Sequence, residues 1–261
     1  MTLEVLICTY GIDGIDRVAK MNLPEVDCVK YLVSWQIEKA DNSIPPNLLR
    51  KDITICSTLS KGLSNNRNHA LNKASGDICL IADDDLTYTA SQLKSIIDTF
   101  ESNPNVDIAL FRHSGSDNKQ FPEYEFDLNK EPKGYYITSF EIAFRRTSIP
   151  SSLMFDSRLG VGTAMPAGEE DLFIHQALKA GLNCRFFPIT ITHHEGLPTG
   201  VRPPTPGVLQ AQGVIIAKKY NLTGILRLPL IAWRLSRKGK ANFFPAVHNL
   251  IKGYIYGKRY F

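Results

Sequence analysis

The sequence predicts an α/β protein, with a mixed, mostly parallel sheet flanked by helices and a helical extension at its C-terminal end. Short apolar runs rich in Val, Ile, Leu and Cys alternate with longer segments of helical period, as in strand–helix–strand crossovers. Residues 196–261 carry 11 Lys and Arg and no Asp or Glu, so the charge changes abruptly near residue 196. We therefore expect a core domain over residues 1–207 and a basic amphipathic extension over residues 208–261.

The apolar runs and the segments between them predict the elements in order. Buried strands are expected at 5–9, 29–35, 53–58, 78–82 and 106–111, with crossover helices at 63–74 and 91–100. A strand at 139–145, a helix at 168–181 and a last strand at 185–192 follow, before a Pro/Gly-rich loop at 196–207 and two or three helices in the extension. In such sheets the ligand lies beyond the carboxyl ends of the strands, so the residues that follow each strand are the candidates for a site.

The overall composition excludes several classes of protein. With 261 residues, 43% hydrophobic and 21% charged, the chain excludes disorder, collagen and coiled coil. The five cysteines are odd in number and widely spaced, which favours reduced core residues over zinc ligands. The N-terminal run lacks the basic segment of a secretion signal, and no stretch approaches the roughly 18 apolar residues of a membrane span. We therefore expect a cytoplasmic protein.

An acidic triplet, Asp83-Asp84-Asp85, directly follows the fourth predicted strand. Three adjacent carboxylates repel one another, so the arrangement costs stability unless a cation neutralises it. A divalent metal with oxygen ligands is the natural candidate. The alternative is a solvated acidic turn that caps the next helix.

Three further groups lie where a site would be. Arg67, in the run GLSNNRN, falls about one turn into a crossover helix and could reach a phosphate or an aspartate. The acidic residues 169–171 open a helix, where the macrodipole stabilises negative charge; alternatively, one of them supplies a general base. The histidines 193 and 194 end the last strand, either as a metal ligand or as polar loop residues.

These groups, in this order, resemble the inverting glycosyltransferases of family 2, which have the GT-A nucleotide-diphospho-sugar fold. The resemblance rests on the turn CTY at 8–10, on GLSNNRNHALNKASGDICLIADDD with its Arg-Asn pair, Gly-Asp and DxD signature, on GEEDLFIHQALKAGLNCRFFP, and on the His just beyond. It covers roughly residues 3–200 and not the extension. It implies a metal-dependent transferase of hexosyl type, which moves a sugar from a nucleotide-diphospho-sugar, a UDP-sugar by expectation, to a hydroxyl of a saccharide or lipid-linked saccharide in cell-surface polysaccharide biosynthesis.

The resemblance implies a role for each residue on the donor side. Asp83 would contact the ribose or uracil, and Asp85 would bind Mn²⁺ or Mg²⁺ between the two phosphates, with Asp84 as the middle position. Thr9 and Tyr10 match the turn that cups the nucleoside. The metal and the phosphates would bind together because the cation neutralises the charge that grows on the leaving nucleoside diphosphate.

Two donor-side positions need separate comment. Arg67 matches the arginine that steadies the diphosphate. Many members also have an acidic turn after the second strand that holds the base, whereas this chain has VSWQ at 33–36. Trp35 could stack on the base instead, and Asp52 is a weak substitute for the acid.

On the acceptor side the resemblance implies a base and a further metal ligand. Counting back from Gly181 favours Glu170 as the base, with Asp171 close behind and Glu169 as the third candidate. The base would deprotonate the acceptor hydroxyl as it attacks the anomeric carbon, and a single displacement inverts the configuration. The histidine that completes the metal shell in some members corresponds to His193 or His194, of which we rank His193 first.

Two other functional classes fit part of the sequence. DDDLT after a strand also fits the nucleophile motif of haloacid-dehalogenase-like phosphatases. That motif usually opens its domain, whereas three predicted strands precede it here. A non-catalytic nucleotide-sugar binding module is the other alternative, and it would leave the Asp triplet and the acidic residues 169–171 without a role.

The extension suggests a location. Its apolar and aromatic residues are interleaved with Arg and Lys, which is typical of helices that lie on anionic membranes. The alternatives are packing on the acidic body or a homodimer contact. We expect no nucleic-acid partner, because no such motif accompanies the charge. The protein would then be cytoplasmic and peripheral on the inner face of the membrane.

Overall fold

The computed structural model describes residues 1–39, 43–116, 119–195 and 203–261. The loop predicted at 196–207 lies outside the described residues up to residue 202. The chain divides into two compact units. The first unit comprises Met1–Lys61, Asn65–Met154 and Gln176–Gly196, and the second comprises Gly62–Ser64, Phe155–His175 and Leu197–Phe261.

The first unit is built on a sheet with nine strands in the described part of the chain. They are β1 (Leu3–Tyr10), β2 (Val29–Gln36), β3 (Ile53–Thr58), β4 (Ile78–Ala82), β5 (Leu86–Thr87), β6 (Ile108–Gly115), β7 (Phe126–Asp127), β8 (Ile142–Arg145) and β9 (Cys184–His194). Their order is β3-β2-β1-β4-β8-β6-β9-β5, with β7 paired to β9. The first four strands are mutually parallel, as are β6 and β9, while β8 runs antiparallel between β4 and β6. The predicted mixed, mostly parallel sheet is confirmed.

Seven α-helices occur in the described residues. They are α1 (Gly11–Lys20), α2 (Leu63–Lys73), α3 (Ala90–Ser102), α4 (Glu169–Lys179), α5 (Pro206–Lys219), α6 (Arg227–Arg237) and α7 (Phe243–Tyr260). Helix α3 begins with a complete capping box, in which the Thr89 hydroxyl accepts from the Gln92 backbone N–H while the Gln92 side chain accepts from the Thr89 backbone N–H.

The core of the first unit lies around the central strands. Strand β1 is buried from Leu3 to Thr9, because helices cover both faces of a parallel sheet. Ile15 and Val18 of α1 and the apolar face of α3 belong to the same buried cluster as β1, β2 and β4. Because β1 and β4 are paired in parallel, their carboxyl ends lie side by side above this buried core.

One helix was not predicted, and one predicted strand begins later in the structure. Helix α1 was not predicted, because its first residues, Gly11-Ile12-Asp13-Gly14, have the composition of a turn. The strand predicted at 139–145 begins only at Ile142, because Ser139–Glu141 forms a 3₁₀ turn that Thr138 and Glu141 close with a capping box.

The second unit is mainly helical. Helices α5, α6 and α7 share a buried cluster that includes Leu209, Leu228 and Leu250. Helices α5 and α7 pack so closely that a Cβ at Gly253 would overlap the Gln210 backbone. The extension thus forms three helices, and no described helix is long and apolar enough to cross a membrane.

Candidate active site

The acidic triplet lies at the carboxyl end of β4, beside the end of β1. The parallel register pairs Ile7 with Ala82, so the residues after Ala82 come next to Thr9. Each of the three carboxylates has different partners, which distinguishes positions that the sequence presents as one acidic run.

Asp84 is held by the end of β1 and by α1. The Thr9 hydroxyl donates to Asp84 Oδ2 at 2.5 Å, and Arg17 donates from Nε to Oδ1 at 3.1 Å and from Nη2 to Oδ2 at 2.8 Å. This bidentate pair raises the pKa of the Arg17 guanidinium, chiefly through its hydrogen bond to Asp84. A Cβ at Gly14 would overlap Thr9 Oγ1 and crowd Asp84, so glycine is required for α1 to approach this closely. Asp84 therefore serves to fix β1, α1 and the acidic loop together.

Asp83 is paired with Arg67 of α2. Arg67 Nη2 lies 3.1 Å from Asp83 Oδ1, and the arginine side chain is only 2% exposed. The Ser139 hydroxyl also donates weakly to Asp83 Oδ2, at 3.4 Å. The predicted neighbourhood of Arg67 and the acidic run is thus present, and Arg67 contacts the aspartate.

Asp85 is paired with a histidine that the sheet brings to it. The antiparallel pairing of β5 with β9 sets Leu86 opposite His194, and His194 Nε2 lies 3.3 Å from Asp85 Oδ2. The Asp85 side chain is 49% exposed. Partial burial raises the pKa of its carboxyl above the ordinary 3.8, and His194 opposes that shift. Asp85 is therefore the member of the triplet that combines solvent access with a neighbouring imidazole.

The two histidines of β9 have different surroundings. His193 Nδ1 hydrogen-bonds with the Ser114 hydroxyl at 3.0 Å, on the β6 side. His194 Nε2 reaches Asp85, whereas its buried Nδ1 has no hydrogen-bond partner among the described residues. The geometry brings His194, and not His193, to the triplet.

Asp85 and His194 are the residues that could hold a divalent ion. A carboxylate oxygen and an imidazole nitrogen are suitable ligands for Mn²⁺, and a carboxylate suits Mg²⁺. Within the described ranges no group of three or more His, Cys, Asp or Glu gathers as a metal cluster. A cation here would have to take most of its ligands from water and from the phosphates of a substrate, as Mg²⁺ commonly does.

The aromatic residues predicted to contact the nucleoside differ in access. Tyr10 is exposed at the end of β1, and its hydroxyl donates to Glu38. Trp35 is buried, and its indole N–H donates to the Gly11 carbonyl at 2.8 Å. The described contact of Trp35 is therefore structural, while Tyr10 presents a ring to solvent.

The acidic residues that open α4 belong to the second unit. Glu169 is buried, Glu170 is half-buried, and Asp171 accepts from Lys219 of α5 at 3.3 Å. Gly168, with a φ of 83°, directly precedes the helix. The three candidates for a base thus have distinct surroundings, and the Asp171–Lys219 pair links α4 to α5.

Sequence reasoning missed a buried charged network in the first unit. Glu141 is fully buried and accepts from His113 Nδ1 at 2.8 Å and Lys119 Nζ at 2.5 Å. The Lys119 ammonium also lies over the rings of Phe121 and Tyr136, at 4.7 and 4.2 Å. These residues are spread irregularly over residues 113–141 and form no local motif, so no sequence signal marked them.

Glu141 of this network lies next in sequence to residues that contact the acidic triplet and His194. Phe140, next to Glu141, packs its ring 5.3 Å from that of His194 and 4.9 Å from that of His113. Ser139 contacts Asp83. The 3₁₀ turn Ser139–Glu141 therefore connects the buried charges to both ends of the acidic site.

Known proteins resemble this chain in sequence over part of its length and in fold. Residues 40–155 match the family model described as Glycosyl transferase family 2. The fold is similar to that of S. aureus TarS 1–349, with a TM-score of 0.63 at 14% identity, covering 97% of this chain and 81% of that one. The same protein in complex with UDP-GlcNAc gives 0.59 at 17% identity, covering 93% and 74%.

A second similar structure is that of a mannosyltransferase. The mannosyltransferase PcManGT from Pyrobaculum calidifontis, in complex with GDP-Man and Mn²⁺, has a TM-score of 0.59 at 13% identity, covering 98% of this chain and 86% of that one. No curated protein matches by sequence. The family 2 model matches residues 40–155, which is less than half of the chain, and the solved structures share its GT-A fold.

Proposed function

We propose that this chain is a family 2 glycosyltransferase that transfers a hexose from a nucleotide-diphospho-sugar, with a UDP-sugar as the first candidate, to a hydroxyl of a saccharide or lipid-linked saccharide, with inversion and with Mn²⁺ or Mg²⁺. The observation that carries the proposal is the division of roles in the triplet. Asp83 and Asp84 are each paired with an arginine, while Asp85 is half exposed beside His194. Solved structures of similar fold contain UDP-GlcNAc, or GDP-Man with Mn²⁺.

On the donor side, each residue has a distinct task in the proposal. Tyr10 offers its exposed ring to the base, and Asp83, oriented by Arg67, accepts from the ribose hydroxyls. Asp85 and His194 hold the cation, which neutralises charge on the leaving diphosphate when it is bound. We place His194 ahead of His193 as the ligand because only His194 contacts Asp85 among the described contacts.

On the acceptor side, we propose Glu170 as the general base. Glu169 is buried and Asp171 is paired with Lys219, whereas Glu170 is half-buried. The interval counted back from Gly181 also favours Glu170. A carboxylate within hydrogen-bond reach of the acceptor hydroxyl takes its proton as the oxygen attacks the anomeric carbon. Transfer to a saccharide in cell-surface polysaccharide biosynthesis is the process in which we expect this reaction.

The phosphatase alternative has less support. Its mechanism needs the first aspartate of the motif as a nucleophile. Asp83 instead pairs with Arg67, which is almost fully buried. A binding module without catalysis remains distinguishable by experiment, because it would bind the donor and never consume it.

Thermal-shift titration followed by a transfer assay tests the proposal. UDP- and GDP-sugars are titrated with Mn²⁺ or with EDTA, and a ligand specific to the native state raises the melting temperature. The proposal expects a metal-dependent shift that Asp85→Asn abolishes, and a Glu170→Gln variant that keeps the shift but loses transfer. Glu125→Gln, at an exposed ion pair with Arg185, is the matched control and should change neither measurement. A shift that survives EDTA, or full transfer by either site variant, contradicts the corresponding role.

A further inference from the structure

Helix α6 carries an exposed apolar strip. Leu226, Leu230 and Trp233 are 74%, 56% and 49% exposed. They are four and three residues apart and share one side of the helix, because Leu226 already has helical backbone angles. Leu228 and Ala232, on the opposite side, are buried in the cluster of α5 and α7. The helix therefore has one side packed in its own unit and a second apolar side that no described residue covers.

Cations flank this strip. At 100° per residue, Arg237 falls on the strip, and Arg227, Arg234 and Lys238 fall along one edge of it. The Arg237 guanidinium lies 5.1 Å from the centre of the Trp233 ring. Among the described residues, none of these four cations has a carboxylate within ion-pair distance, and the sequence has no Asp or Glu beyond residue 195. The same side of α6 is thus both apolar and strongly positive.

We propose that this side of α6 binds the surface of an anionic lipid bilayer, with the helix lying in the plane of the interface. The apolar side chains would enter the boundary between headgroups and acyl chains, while the flanking cations attract the anionic headgroups. Tryptophan is well suited to that depth because its ring is apolar and its N–H is polar. Phe244 at the start of α7 is also exposed and follows Lys240 closely in sequence, so a further exposed apolar residue lies near a cation.

Charge favours a bilayer over the two other occupants of such a surface. In a symmetric dimer, a second copy would bring another helix of the same positive charge against this one, with no acid in residues 196–261 to offset it. A nucleic acid would match the cations but would leave the strip of Leu226, Leu230 and Trp233 without a partner. An anionic bilayer satisfies both the charge and the apolar strip.

Vesicle co-sedimentation of the full chain tests the proposal independently of the sugar chemistry, since donor binding is measured without vesicles. The vesicles are phosphatidylcholine alone, or phosphatidylcholine with phosphatidylglycerol. The variants are Leu230→Ser/Trp233→Ser and Arg234→Gln/Arg237→Gln. Leu49→Ser/Lys51→Gln removes an equally exposed apolar residue and a cation from the first unit as a control. Circular dichroism melting verifies that each variant is folded.

The expected results differ for each variant. The parent should bind anionic vesicles and not neutral ones. Losing two cations should lower the partition coefficient by about 25-fold, since each contributes about fivefold near the surface. Losing the two apolar residues should lower it by at least about tenfold. The control should bind as the parent does.

Several outcomes overturn the proposal. Absence of binding to anionic vesicles, or equal binding to neutral ones, does so directly. Loss of binding in the arginine variant alone indicates a general polyanion surface, and duplex DNA binding that Leu230→Ser/Trp233→Ser leaves intact would identify it. A dimer that dissociates on Leu230→Ser/Trp233→Ser, in a protein that does not bind vesicles, assigns the strip to a second copy.

Discussion

Replacing the buried carboxylate of Glu141 should destabilise the first unit severely. Glu141 accepts from His113 at 2.8 Å, Lys119 at 2.5 Å and the Thr138 backbone N–H at 3.3 Å, and it is fully buried. Because a carboxylate only accepts, His113 Nδ1 must carry the proton in this contact. Glu141→Gln keeps the volume but removes the charge that neutralises a side chain exposed by only 1%, that of Lys119. Breaking such a pair costs about 3–5 kcal/mol, and we expect about 3 kcal/mol because Gln can still accept one hydrogen bond.

Urea unfolding followed by circular dichroism measures this loss. Glu125→Gln, which breaks the exposed pair with Arg185, is the matched control and should cost less than about 1 kcal/mol. Lys119→Met combined with Glu141→Gln should be less destabilised than the sum of the two single variants, by at least about 1 kcal/mol. A loss below about 1 kcal/mol for Glu141→Gln would refute the reasoning, because it would mean that the buried ammonium does not depend on this carboxylate.

Three further predictions concern the acidic site. Arg17→Gln removes the bidentate partner of Asp84 and should weaken Mn²⁺-dependent donor binding by roughly tenfold in calorimetric titration, with little change in stability; unaltered affinity would contradict its positioning role. Burial raises the pKa of Asp85, so the charged carboxyl costs stability at neutral pH. Without metal, Asp85→Asn should therefore melt no lower than the parent at pH 7, and any gain in melting temperature should disappear as the pH falls through the raised pKa. A gain in melting temperature that grows in acid would contradict this reasoning. Tyr10→Ala should weaken donor binding by about 1–3 kcal/mol in fluorescence titration, and equal weakening by Tyr124→Ala, at an exposed ring elsewhere, would show that stacking is not the cause.

The sheet could be predicted because its central strands are apolar on both faces. The runs 5–9 and 78–82 contain no charged residue, and β1 and β4 are buried along these stretches. Helix α1 was missed although Ile15, Val18 and Ala19 recur at helical spacing, because its first residues, with two glycines and an aspartate, are typical of a turn. Its contacts with β1 and Asp84 are not local and leave no such pattern.

The acidic triplet was recognisable, but the roles within it were not. Adjacent aspartates at a strand end indicate a charged site, and only the partners Arg17, Arg67 and His194 separate the three carboxylates. Arg67 was singled out by its motif, while Arg17 lies on the unpredicted helix. Only the pairing of β5 with β9 distinguishes His194 from His193. A shift of this register by one residue would exchange the faces of the sheet on which the two histidines lie.

The close approach at Gly14 also bears on how related chains could be recognised and redesigned. No side chain fits there without displacing the Thr9 hydroxyl, so substitution at this position is expected to separate α1 from the acidic loop. Thr9, Gly14 five residues later and Arg17 three residues after that therefore form a short pattern. The pattern should help to recognise chains in which a threonine and an arginine hold the middle aspartate. In directed evolution of donor preference, position 14 should be held fixed while the exposed neighbours Tyr10 and Ile12 are varied.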